Sequence, residues 1–175
     1  MAVREVLLYP HRALKTVAAP ATADDPRTAA VARDLLDTMR SFGHCTGIAA
    51  PQIGALTRIV VVDVTGHRKA ATESGLLLLA NPRTIESAGD EVGREGCLSI
   101  PHLTANVRRA TTIAVEADEL TLHDDGTVTA TPRLVETDAF EARCLLHEID
   151  HLDGILFLDR VDSLSRDVFR RKSYG

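Results

Sequence analysis

Val31, Leu35, Met39 and Phe42 recur at the spacing of one helical stripe. Asp24-Asp25-Pro26 stands just upstream, acidic residues and a proline that suit a helix start, so a helix is expected from about Thr28 to Phe42. From Ile59 to Val64 the pattern becomes a nearly continuous β-branched run, which reads as a buried strand. Leu76 to Leu79 reads as a further strand, ended by Asn81-Pro82. Thr111 to His123 and Thr127 to Thr131 flank Asp124-Asp125-Gly126, a hairpin signal. Gly66 to Gly75 is a polar loop. A last helix is expected from Asp138, with Glu141 three residues later completing a capping box. Phe140, Cys144, His147 and His151 follow one of its faces, and Leu145, Leu146, Ile149 and Leu152 cover the others. A helix that is apolar nearly all round is buried.

Composition adds bounds. A chain of 175 residues suits one domain. With no Trp and only 3% aromatics, the core must be aliphatic. The net charge of −5, with both signs interspersed, argues against a nucleic-acid-reading surface. The run Arg166, Arg170, Arg171 and Lys172 reads as a solvated helix end. Cys45, Cys97 and Cys144 fit no disulfide or zinc-ribbon spacing. The N-terminal residues lack a signal-peptide apolar stretch and no run is long enough to span a membrane. Together these suggest a reduced, cytoplasmic protein.

The chemistry concentrates in His147-Glu148-Ile149-Asp150-His151. Two imidazoles four residues apart share a helix face, with a carboxylate beside the first. That arrangement offers two nitrogen ligands to one metal ion and a base for a water molecule. A buried helix with two hydrogen-bonded histidines is the plainer alternative. No downstream His or Glu looks like a third ligand. Cys97, in Glu95-Gly96-Cys97-Leu98-Ser99, is a plausible lone thiolate, and two His with one Cys would leave a fourth position open. Gly47-Ile48-Ala49-Ala50-Pro51-Gln52-Ile53-Gly54 offers an amide donor for a developing oxyanion, or simply a turn into the following strand. Asp150 reads as a structural salt link or cap, and Cys144 as a small buried hydrophobe. His11, His44, His67, His102 and His123 read as surface or loop residues.

In this order along the chain, the three motifs resemble those of the peptide deformylase family. Val6-Leu7 with Pro10, Asn81-Pro82, Ser99-Ile100-Pro101 and the residues from His151 to Phe157 resemble it too, over about residues 4 to 162. The resemblance implies an α+β fold, with antiparallel sheets wrapped around a central buried metal-binding helix, and residues 1–175 as a single catalytic domain. It implies Cys97, His147 and His151 as metal ligands and Glu148 as general acid and base. Gln52 and the backbone N–H of Leu98 would hold the carbonyl oxygen, and the backbone at Gly47 and Gly96 would line the substrate peptide. Ile48, Arg143 and Cys144 would line the pocket for its first side chain, and Glu95 would support the ligands. The implied cofactor is one divalent ion, Fe²⁺ physiologically, with Zn²⁺, Ni²⁺ or Co²⁺ as substitutes. The implied substrate is the N-formyl-methionyl end of a nascent chain, met transiently at the ribosome surface, with no membrane partner. Three departures stand out: Cys45 and Ala139 replace customary glycines, and Leu146 replaces a customary Gln.

Overall fold

The structure is a computed structural model that describes residues 2–171. Helix α1 spans Pro26–Ser41. The side chain of Asp25 accepts a hydrogen bond from the Arg27 N–H at 2.9 Å, and Pro26 follows in the first turn, where no N–H is needed. Leu35 and Met39 are buried as the stripe predicts, whereas Phe42 lies past the helix end and is exposed.

Strands β1 (Gly47–Ala49), β2 (Ile59–Val62), β3 (Leu77–Ala88), β6 (Thr112–Leu122) and β7 (Val128–Asp138) form an antiparallel sheet in the order β1-β2-β3-β6-β7. Strands β4 (Glu91–Cys97), β5 (Ile100–Arg109) and β8 (Val168–Arg170) form a second antiparallel sheet in the order β4-β5-β8. The hairpin around Asp124-Asp125-Gly126 joins β6 to β7, with Gly126 at positive φ. The short helix α3 covers Leu164–Asp167.

Two expectations are corrected here. Asn81-Pro82 does not end a strand. β3 runs through it, with a register shift between Ala80 and Arg83. Asn81 takes φ +53, tolerable for Asn, and its amide bonds the backbone of Ala21 in both directions, at 2.8 and 2.9 Å. The irregularity also absorbs the donor that Pro82 lacks.

The second correction is the capping box of helix α2 (Ala139–Leu152), which does not form. The Asp138 side chain instead accepts from Thr72 at 2.7 Å. Glu141 accepts from the Ser74 N–H and hydroxyl, both at 2.8 Å, and from Thr137 at 2.6 Å. Both carboxylates therefore pin the 66–75 loop and β7 to the start of α2.

β7 leads directly into α2, which packs against β1, β2, β3, β6 and β7. Ala142, Leu145 and Leu152 are fully buried there with Val60, Val62, Leu77, Leu79 and Val115. A second cluster joins α1 to the other face of β2 through Leu35, Met39, Ile59 and Val61. Among the described residues no helix is long and apolar enough to cross a membrane.

Candidate active site

Three segments converge on one buried point. α2 supplies His147, Glu148 and His151 from adjacent turns. The β4–β5 hairpin supplies Cys97, whose register slips relative to Gly96. Such a bulge re-aims a side chain, and here the Cys97 sulfur lies 3.2 Å from His151 Nε2. The short helix Ala50–Ile53 supplies Gln52, whose Oε1 accepts from the Ala49 N–H at 2.9 Å. That contact orients the Gln52 amide, which donates to the Ser99 hydroxyl at 3.1 Å and toward Cys97 Sγ at 3.4 Å. The N-terminal segment ties the two loops together: the Leu7 N–H donates to Gln52 O at 2.8 Å, and the Tyr9 N–H to Ser99 O at 2.9 Å.

The possible ligand atoms of Cys97, His147 and His151 all lie within 4.8 Å of one another. Three features suit a shared cation. Burial opposes the His147 imidazolium, but Cys97 and Glu95 hold its pKa well above the ordinary value; with Nδ1 donating to Glu95 Oε2 at 2.9 Å, the proton a cation would displace is the one on Nε2. Burial opposes the Cys97 thiolate, but His151 and His147 outweigh it and hold the thiol well below its ordinary pKa. Glu148 Oε2, on the turn between the two histidines, is buried without a hydrogen-bond partner among the described residues, an unpaired polar atom that calls for a further group.

Burial raises the Glu148 pKa to about 7 against the pull of the neighbouring histidines. Its carboxylate also explains Gly47. A Cβ there would fall 2.7 Å from Glu148 Oε1, so only glycine lets β1 run this close. Glu95 behaves oppositely. Burial would raise its pKa, but His147 and Arg109 bring it far below the carboxylate range. Arg109 grips it with two nitrogens at 2.9 and 3.0 Å, and Arg143 adds a third bond at 2.8 Å. Arg109 also reaches Asp150 at 2.5 Å, and Arg160 bonds the same carboxylate at 2.6 and 3.1 Å. Asp150 is thus the salt link its position suggests.

A cleft of about 500 Å³ opens onto this point. Its walls include Gly47, Gln52, Gly96, Cys97, Leu98, Arg143, Cys144, His147 and Glu148. Ile48, by contrast, is fully buried beneath β1 with Leu35, Met39 and Val61, because alternation along the strand turns it toward α1. Cys144 is buried, with its thiol pushed up to about 12 chiefly by burial. Leu146 is half-buried against the core.

Several residues that line the cleft or support it escaped the sequence reading. Arg109 is a buried partner of the site that nothing in its local pattern marks, and Ser99, quoted above only as part of the Cys97 motif, accepts from the Gln52 amide. His67 lies in the loop between β2 and β3, as read, and its ring stacks on Phe140 with centroids 4.1 Å apart at the edge of the cleft. The C-terminal basic run is a helix end only in part: Arg166 is exposed in the last turn of α3, but Arg170 is in β8 and Arg171 lines the cleft, while Lys172 lies outside the described residues. All three cysteines are free.

Comparison with known proteins identifies the family. The family model described as polypeptide deformylase matches residues 3–167. A peptide deformylase of Pseudoalteromonas translucida is 37% identical, covering 98% of this chain and 95% of its own. Peptide deformylase 1 of Bacillus subtilis is also 37% identical, over 92% of this chain and 91% of its own. The peptide deformylase structure from Legionella pneumophila superposes with a TM-score of 0.79 at 32% identity, covering 94% of this chain and 89% of that one. That from Synechococcus elongatus, solved in complex with actinonin, gives 0.76 at 30% identity, covering 93% and 80%. With the motif order, the fold and these relatives in agreement, the chain belongs to the peptide deformylase family.

Proposed function

We infer that the chain hydrolyses the N-formyl group from the formyl-methionyl end of nascent polypeptides, releasing formate and a free amine, with residues 1–175 acting as one catalytic domain. The observation that carries this is the meeting of Cys97, His147 and His151 beside a buried Glu148 at a peptide-sized cleft.

In this reading α2 is the central metal-binding helix. Cys97, His147 and His151 hold one divalent ion, Fe²⁺ physiologically, with Zn²⁺, Ni²⁺ or Co²⁺ able to replace it. When bound, such an ion supplies Lewis acidity toward water and the formyl oxygen. Glu148 takes the proton of the attacking water, which adds to the formyl carbon. The Gln52 amide and the Leu98 N–H donate to the carbonyl oxygen as negative charge grows there, worth about 3–4 kcal/mol per donor. Glu148 then passes its proton to the leaving nitrogen, and the C–N bond breaks. Gly47 and Gly96 present backbone to the peptide, and Arg143 and Cys144 border the space for its first side chain. The free thiols suit a reduced cytoplasm, where the substrate emerges from the ribosome.

The test is formate release from formyl-Met peptides by wild type, Glu148→Ala and Glu148→Gln at matched metal content. Both variants are expected to lose on the order of 10²–10⁴ in rate. Equal rates would overturn the mechanism. A second reading, a weak or specialised relative acting on another formylated ligand, is favoured by one contact: the Cys45 thiol donates to Gly47 O at 3.1 Å, occupying a backbone acceptor on the cleft wall. Formylated small amines assayed beside the peptides distinguish the two.

A further inference from the structure

Four exposed cations line the cleft without serving its buried carboxylates: Arg68 and Lys69 from the loop between β2 and β3, Arg94 from β4, and Arg171 just beyond β8. Among the described residues none of the four is salt-bridged to a carboxylate. The acids in the same lining are Glu95 and Glu148, both buried, and Glu95 is already matched by Arg109, Arg143 and His147. The mouth is therefore positive in a chain whose net charge is −5.

Two of the cations are held in place by neighbours. The Arg94 guanidinium lies 3.6 Å from the centroid of Phe169, and its Nη1 donates to Thr104 Oγ1 at 3.4 Å. Arg171 is delivered by the pairing of β8 with β5: Arg170 stands opposite Leu103, and the Arg171 N–H donates to His102 O at 2.9 Å. Its side chain then rests on Gly96, where a Cβ would fall 2.0 Å from Nη2. Arg171 thus touches the backbone that, on the deformylase reading, the substrate peptide passes.

The geometry points to a charge filter at the mouth: the cleft favours formyl peptides that carry an Asp or Glu in the residues just after the formylated one, read by Arg94 and Arg171 with Arg68 and Lys69. This rests on the deformylase reading and adds a substrate class to it. The side chains lie apart from the buried reacting groups, so their effect is on binding and appears mainly in KM. Exposed pairs of this kind are modest, about threefold each, and salt screens them.

The test uses the metal-loaded protein and C-terminally amidated peptides formyl-Met-X-Ala-Ala and formyl-Met-Ala-X-Ala, with X as Glu, Gln or Lys. A free-acid Gln peptide separates a terminal carboxylate from a side-chain one. The expected order of kcat/KM is Glu above Gln above Lys, with a Glu-to-Lys ratio of about tenfold at low salt that collapses near about 0.5 M salt. Arg94→Gln and Arg171→Gln should each cut that ratio about threefold, and Arg94→Lys and Arg171→Lys should restore most of it. A wild-type ratio of one or less at both positions, or a ratio unchanged in the double Gln variant, overturns the filter. Preference for the free acid alone overturns the side-chain assignment. Failure on every peptide, the neutral Gln ones included, overturns the deformylase reading itself.

Discussion

His147 and Glu95 meet at 2.9 Å, Nδ1 to Oε2, and the same carboxylate holds the buried guanidinium of Arg109. One residue of β4 thereby orients a helix side chain and neutralises a cation that also anchors Asp150 of α2. The site and the contact between sheet and helix share these atoms.

Removing the charge should harm both. Glu95→Gln takes one of two carboxylates from Arg109, which keeps Asp150, and the only one from Arg143 among the described residues; a broken buried pair costs up to about 3–5 kcal/mol. Loss of the carboxylate behind a metal-binding imidazole typically weakens metal affinity about 10–100-fold. Urea unfolding and competition with a chelator measure the two effects separately. Wild-type values in both would show that Glu95 is only a bystander.

Glu148 should destabilise the metal-depleted protein in alkali. Its pKa rises from 4.5 to about 7 on folding, so the folded state binds the proton more tightly. The associated stability is present in full below about pH 4.5 and is lost as pH rises through about 7. Glu148→Gln, neutral throughout, should match wild type near pH 4.5. At pH 8 it should exceed wild type by about 3 kcal/mol. Urea midpoints of the metal-free proteins at the two pH values decide the sign.

Ala139 begins α2 at φ +48, with its N–H fixed by Thr111 O at 2.8 Å. A side chain there costs about 1–2 kcal/mol, which glycine escapes at the expense of greater freedom when unfolded. Ala139→Gly is therefore expected to stabilise the protein by about 1 kcal/mol. A lower melting temperature in that variant would refute the claim of strain.

Cys97→Ser replaces an anionic sulfur with a neutral hydroxyl. Metal retained after dialysis should fall well below one ion per chain, because hydroxyl is a poor substitute for thiolate. Undiminished metal in both Cys97→Ser and His147→Ala would exclude these residues as ligands.

Cys45→Gly should raise kcat/KM for formyl-Met peptides at constant metal content. The change frees the Gly47 carbonyl and clears a side chain from the cleft wall. Positioning effects of this kind reach on the order of 100-fold. An unchanged or lower value across several peptides would show that the loop already accommodates the thiol.

The legible part of this protein is the part set by short-range periodicity. Helix geometry alone puts His147 and His151 on one face, and the apolar residues around them require burial, so the core of the site could be read before folding. The cap at Asp25 and the β6–β7 turn depend on neighbours in sequence and were equally readable. The capping box was not, because Glu141 had better partners in Ser74 and Thr137 than the helix end. Nor was the long course of β3, since a tertiary anchor at Ala21 stabilises the turn of backbone at Asn81. Ile48 was assigned to the pocket by resemblance, yet the packing of α1 on β1 claims its side chain for the core. Arg109 carries no local mark of burial, and what places it is the pairing of β4 with β5 against α2. Arg171 looks like solvated charge until β8 joins the second sheet and brings it onto Gly96. Covalent spacing sets which groups share a turn, whereas a contact between residues 52 or 67 positions apart, as at Glu95 with His147 or Ser74 with Glu141, exists only once the sheets have closed, because its energy depends on a distance that the chain leaves free.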